Sequence, residues 1–172
     1  VFGFDGLPLY FSTYPPFFLF LLFFIGFGIK AGFMPLHTWL PHAHPAAPAH
    51  VSGVMSGVMI KLGIYGSLRG LTYIHSDLLS IGVFILVISL FSGLLGVMFA
   101  IVQHDIKKLL AYHSIENIGI IGIGIGIGLI GVSMKIPALA VLGFTGGILH
   151  VLNHSLFKSL LFYAAGSVNQ QT

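Results

Sequence analysis

The chain has 172 residues, 56% of them hydrophobic and only 6% charged, with a formal net charge of +3 and a mean hydropathy of +1.03. A soluble domain carries about 25% charged residues, so this chain has too few to cover a water-facing surface. Its basic residues are scattered, which leaves nucleic-acid binding without support, and the absence of cysteine excludes disulfides, iron–sulfur ligation and thiolate-bound metal within it.

Five apolar runs separated by polar punctuation predict an all-α, polytopic transmembrane helical bundle. The runs cover 16–33, 48–70, 78–102, 107–132 and 137–165. The third, "LLSIGVFILVISLFSGLLGVMFAIV", is uncharged over 25 positions, and about 20 residues suffice to cross a bilayer. Helices are expected because every backbone polar group in lipid has to be bonded internally. The chain opens on Val1 without an initiator Met and stops soon after its last apolar run. It therefore reads as an internal fragment of a longer protein, one membrane domain with some essential residues outside it.

Between the first two runs lies "MPLHTWLPHAHPAAPAH", in which Pro35, Pro41, Pro45 and Pro48 cannot all sit inside one regular helix. A short helical piece around 36–40, hinged on Pro35, would make a discontinuous membrane helix of the kind transporters use at ion sites. The fourth run contains "IGIGIGIG", residues 121–128. Its alternation resembles a strand, but in a membrane helix it places Gly122 with Gly126, and Gly124 with Gly128, at the spacing that lets another helix approach closely. Lysines on one side (Lys107, Lys108) balance basic residues on the other (Arg69, Lys135), so positive-charge bias leaves the orientation open.

A charge at the bilayer centre costs about 2.5–3.5 kcal/mol on insertion scales, so each ionisable residue in these runs calls for a reason. Lys30 ends an uncharged run just before the Pro35 break, Lys61 lies deep in the second run, and Glu116 follows Lys107 by about 13 Å of helix. In "GILHVLNHSLFKSLLF", residues 146–161, His150, His154 and Lys158 fall four apart and share one helical stripe about 12 Å long. Histidine titrates near neutral pH, so such a row, bridged by water, suits stepwise proton transfer through low-dielectric surroundings. The competing reading has the histidines bonding between helices and Lys158 snorkelling to an interface; recurrence over several segments favours proton transfer.

Other groupings carry less. His37, His42, His44 and His50 crowd the proline-rich link without an Asp, Glu or Cys, so cavity lining or carbonyl bonding is favoured over a metal site. His113 lies one turn before Glu116, as its partner or a polar neighbour. Asp105 suits the start of the fourth helix. Nine histidines raise the possibility of a haem-carrying cytochrome, but axial pairs need histidines facing across neighbouring helices, whereas His150 and His154 share one face.

Three stretches, "KAGFMPLHTWLPHAHPAAPAHVSGVMSGVMIKLGIYGSLR", "HDIKKLLAYHSIENIG" and "HVLNHSLFKSLLFYAAGSV", resemble, in order, the antiporter-like subunits of respiratory complex I, Mrp-type cation/proton antiporters and energy-converting hydrogenases. The wording around "AHPAAPAHVS" and "ENIG" looks most like the membrane subunits of hydrogenase-4 and formate hydrogenlyase. His113 stands where the family usually has serine. The resemblance implies a fourteen-helix fold with two inverted five-helix repeats, of which this fragment holds the last two helices of the first and the first three of the second. It further implies that Lys30, Lys61, His150, His154 and Lys158 match the family's proton path, with the glutamate partner of Lys30 before Val1 and a terminal lysine beyond Thr172.

On this reading the expected function is proton translocation along a Lys/His/Glu chain, Glu116 included, in a multi-pass subunit of the inner cell membrane. Its expected setting is a redox complex of hydrogenase or NADH-quinone oxidoreductase type, with further membrane subunits and a peripheral redox arm as partners. No cofactor and no redox centre are expected in this chain. The alternative is a Mrp-type Na+/H+ antiporter subunit without redox coupling.

Overall fold

The computed structural model describes residues 6–171, and all its regular structure is helical. A short helix α1 (Leu7–Thr13) precedes α2 (Pro16–Ala31), which starts with proline in its first turn, where no backbone donor is needed. Gly32, at φ 86°, ends α2 in the left-handed conformation that glycine adopts without steric cost. The sixteen residues of α2 rise about 24 Å, short of the ~30 Å hydrocarbon core. The predicted run 16–33 thus yields a helix too short to cross on its own, because Gly32 stops it early.

The break that follows differs from the expected one. Residues 34–39 form successive turns, and the helical piece is α3 (Leu40–Ala46) rather than 36–40. Pro41 lies in the first turn of α3, where its missing N–H costs nothing, so helix begins at the second proline instead of the first. Irregular backbone at membrane depth needs partners. Met34 N–H donates to Ser92 Oγ (2.9 Å), Phe33 N–H to the Gly28 carbonyl (3.1 Å), Leu36 N–H to the Phe33 carbonyl (2.6 Å) and Leu40 N–H to the His37 carbonyl (3.0 Å), and Trp39 Nε1 donates to the Ile29 carbonyl in the last turn of α2 (2.7 Å).

Among the described residues, four helices are long and apolar enough to cross a membrane: α4 (Ala49–Leu71), α5 (Leu78–Ile101), α6 (Ile106–Ser133) and α7 (Pro137–Gln171). Helix α4 contains a π-turn at Met55–Met59, where Ile60 N–H bonds five residues back to the Met55 carbonyl. Asp105 caps α6 through Lys108 N–H (2.9 Å).

The glycine alternation in α6 is helical, and its two stripes serve two neighbours. Residues two apart in a helix point to nearly opposite sides. A Cβ on Gly126 would stand 3.0 Å from the Gly82 carbonyl of α5, whereas one on Gly124 would stand 2.7 Å from the Gly147 nitrogen of α7. Helix α6 is therefore packed backbone to backbone on both flanks. Phe17, Phe20 and Phe24 of α2 meet Phe84 of α5, with Phe33 against Phe24, in an aromatic cluster of edge-on or tilted contacts, while Gly63 and Gly66 of α4 receive Ala31 and Phe27 of α2.

Candidate functional site

Tight packing should exclude polar groups, yet one seam where α4, α6 and α7 meet holds most of the buried ones. Lys61 (8% exposed), Ser56, Ser114, Asn117, His154 and Lys158 (1% exposed) are all buried. Small residues make the meeting possible. Gly53 and Gly57 of α4 turn toward α7, where a Cβ on Gly57 would approach the Ser155 carbonyl to 3.2 Å. Ser159 Oγ of α7 donates to the Gly53 carbonyl (3.2 Å). On the other flank, a Cβ on Gly96 of α5 would lie 2.7 Å from the Glu116 nitrogen, so α6 is drawn close at the level of its carboxylate.

The π-turn positions Lys61. Its ammonium donates to the Ser56 carbonyl within that turn, and Ser56 Oγ shares a hydrogen bond of 2.7 Å with Ser114 Oγ of α6. Ser114 Oγ also bonds the Leu110 carbonyl (3.0 Å). A one-residue irregularity, often found at functional sites, thus sets a buried cation beside a hydroxyl pair that spans two helices.

A second set of contacts runs from α6 to α7. His113 Nδ1 and Glu116 Oε2 are 2.5 Å apart, half-exposed at the rim. Asn117 Nδ2 donates to the His113 carbonyl (2.6 Å), and Asn117 Oδ1 lies 2.9 Å from His150 Nε2. An amide oxygen only accepts, so His150 carries its proton on Nε2 in this contact and its Nδ1 is left to accept. The His150 and His154 rings lie nearly parallel (12°) with centroids 6.2 Å apart. His154 is fully buried, and neither of its ring nitrogens has a hydrogen-bond partner.

The seam is also an electrostatic unit. The fields of Lys61 and Lys158 both reach His154, that of Glu116 reaches His150 and Lys158, and Lys158 acts on Lys61. Two buried lysines thus share the seam with a single carboxylate, Glu116, at its rim.

Of the six residues singled out from the sequence, the structure brings Lys61, Glu116, His150, His154 and Lys158 together. It does not bring Lys30, which stands exposed near the end of α2, along a groove with Leu22, Phe23 and Phe27. Ser56, Ser114 and Asn117 were not foreseen. Their only signal is adjacency to named residues, since small polar residues are common on membrane helices.

Residues 4–172 match the family described as NADH:quinone oxidoreductase/Mrp antiporter, transmembrane. The chain belongs to this antiporter family. Among its relatives, hydrogenase-4 component B of Escherichia coli (strain K12) is 49% identical over 157 residues, 87% of this chain and 23% of that protein. Formate hydrogenlyase subunit 3 of the same organism is 46% identical over 87% of this chain and 25% of the relative. NADH-quinone oxidoreductase subunit M of Rickettsia prowazekii (strain Madrid E) is 32% identical, covering 86% and 28%. The chain thus spans about a quarter of the length of these antiporter-family relatives. With four apolar helices of spanning length, it is a multi-pass membrane protein.

Proposed function

We propose that this chain is the central part of a proton-translocating membrane subunit in a redox-driven complex of hydrogenase or NADH-quinone oxidoreductase type. On this proposal it lies in the inner cell membrane, within a fourteen-helix inverted-repeat fold whose other helices belong to the rest of the protein. Further membrane subunits and a peripheral redox arm would complete the complex. The observation that carries the proposal is the buried seam itself, with Lys61, His154 and Lys158 within electrostatic reach of one another inside a glycine-tightened helix interface.

In this reading Glu116 with His113 loads the rim, and Asn117 holds the His150 ring through Nε2, which leaves its Nδ1 to accept. His154, with both nitrogens free, accepts on one and releases from the other. Lys61 and Lys158 are the charge-storing stations: neutral, each takes a proton; charged, each repels the next. Lys30 would serve the first repeat with a carboxylate partner from outside this chain. The chain would carry no redox centre of its own, electrons passing through the peripheral arm.

The sodium-exchanging alternative fits less well. Within the seam the ionisable groups are nitrogen bases and a single carboxylate already engaged by His113, whereas hard cations call for several oxygen ligands.

The test is proton uptake by vesicles holding the full complex, wild type against Lys158→Met at equal assembly. Loss of pumping with electron-transfer subunits intact is expected. Pumping at the wild-type level would overturn the reading, and pumping that follows sodium would return the antiporter alternative.

A further inference from the structure

Helices α2 and α4 part company toward one end. At Gly63 of α4 they meet backbone to backbone, since a Cβ there would stand 2.5 Å from the Phe27 carbonyl, and at Gly66 the Phe27 ring closes the gap. One turn further on, a Cβ on Gly70 would meet nothing within 4 Å. The separation leaves a groove of about 430 Å³, walled by Phe23 and Phe27 of α2 and by Leu62 and Tyr65 of α4, with Arg69 and Tyr73 at its outer end. The Phe23 and Phe27 rings stack with their planes 8° apart, which makes their wall flat and apolar.

This groove has the depth of one leaflet. Leu62 stands near the middle of α4 and Leu71 ends it. The stretch between them rises about 14 Å, close to half of the ~30 Å hydrocarbon core. At the outer end the character changes. Arg69, in the last turn of α4, lays its guanidinium over the Tyr73 ring, 5.2 Å from the centroid, and the electron-rich face steadies the cation. A guanidinium carries its N–H donors in a fixed fork that suits phosphate. Arg69 is exposed, and among the described residues no carboxylate pairs with it. The dipole at the end of α4 favours a cation at this position. It does not account for an apolar groove that runs up to that cation.

We propose that the groove binds an anionic phospholipid, with one acyl chain lying between α2 and α4 from Leu62 to Gly70 and the headgroup phosphate paired with Arg69. The inference is separate from the proton path and stands or falls without it. A helix from the rest of the protein laid over the same groove would enclose Arg69 and would have to bring a counter-charge of its own, because an unpaired buried charge is costly. A phospholipid brings both parts at the right depths, phosphate at the margin and hydrocarbon beneath it. An anionic headgroup is favoured because basic side chains near the membrane surface are attracted to net negative lipid, whereas a zwitterionic headgroup already carries its own cation.

The test counts phospholipid retained by the full complex after purification in detergent, by native mass spectrometry, with phosphatidylglycerol or phosphatidylcholine added as the probe. Gly70→Leu fills the groove from a position where a Cβ meets nothing, and Arg69→Gln removes the charge. Wild type is expected to retain one more phosphatidylglycerol than Gly70→Leu. Arg69→Gln is expected to bind that lipid about tenfold more weakly, the order of one charge-assisted hydrogen bond. Equal retention in wild type and Gly70→Leu overturns the proposal. So does a Gly70→Leu subunit that no longer assembles, which would put a helix of the protein over Gly70. Equal retention of the two lipids by wild type overturns the anionic site, as does an Arg69→Gln variant that binds phosphatidylglycerol like wild type. Should Arg69→Gln fail to assemble, the wild-type preference between the two lipids decides together with Gly70→Leu.

Discussion

At the scale of single residues, Asn117 shows how neutral groups organise the charged ones. Its amide donates to the His113 carbonyl and accepts from His150, so one side chain ties the rim dyad to the α7 row. Asn117→Leu keeps the volume and removes both bonds. It leaves His150 free to turn, at a cost of about 1–3 kcal/mol for the groups left unmatched. Proton pumping per turnover is expected to fall several-fold while assembly is kept; unchanged pumping would show that His150 does not need this anchor. The charged members of the site were legible in the sequence because charge is expensive in lipid, so Lys61, Glu116 and Lys158 stand out from their surroundings. Asn117, Ser56 and Ser114 were not, because their importance lies in which helix each one faces. Lys30 stood out equally well, yet whatever it pairs with lies outside the seam.

At the scale of elements, hydropathy marked three of the long helices to within a residue and the start of α7, whose end lies six residues beyond the predicted 165, since the requirement to bond the backbone internally is uniform along a span. The irregular parts were less legible. The π-turn at Met55–Met59 is a one-residue slip stabilised by contacts from other helices, and no local composition announces it. The helical piece after the break begins later than proline spacing suggests, because Pro41 fits a first turn as well as it would break a helix interior. The glycine stripes of α6 were legible in spacing, but which neighbour each stripe serves is a tertiary fact. A contrasting pair of substitutions tests it. Gly124→Leu forces a side chain into backbone of α7 and should destabilise by about 1–3 kcal/mol or more, whereas a Cβ on Gly146 meets nothing within 4 Å. Gly146→Ala should be neutral or stabilising by up to about 1 kcal/mol from helix propensity. Thermal unfolding of the detergent-solubilised complex reads both; equal effects would mean that α6 and α7 are not packed through the Gly124 stripe.

At the scale of the whole molecule, the question is whether the seam forms one path or two. Lys61 comes from α4 and Lys158 from α7, and the fields of both reach His154. If protons pass both stations in series, removing one already stops the flow, and removing the second adds nothing further. If each lysine serves its own route, the two losses are partial and combine. Residues acting as a unit are non-additive in this sense. On the proposed proton path a series arrangement is the expectation, since Lys61, His154 and Lys158 are all buried. Lys61→Met, Lys158→Met and the double variant are therefore expected to show the same near-complete loss of pumping per turnover in vesicles, with redox activity retained. Partial single losses that multiply in the double variant would divide the seam into two routes and return His154 to a packing role between them.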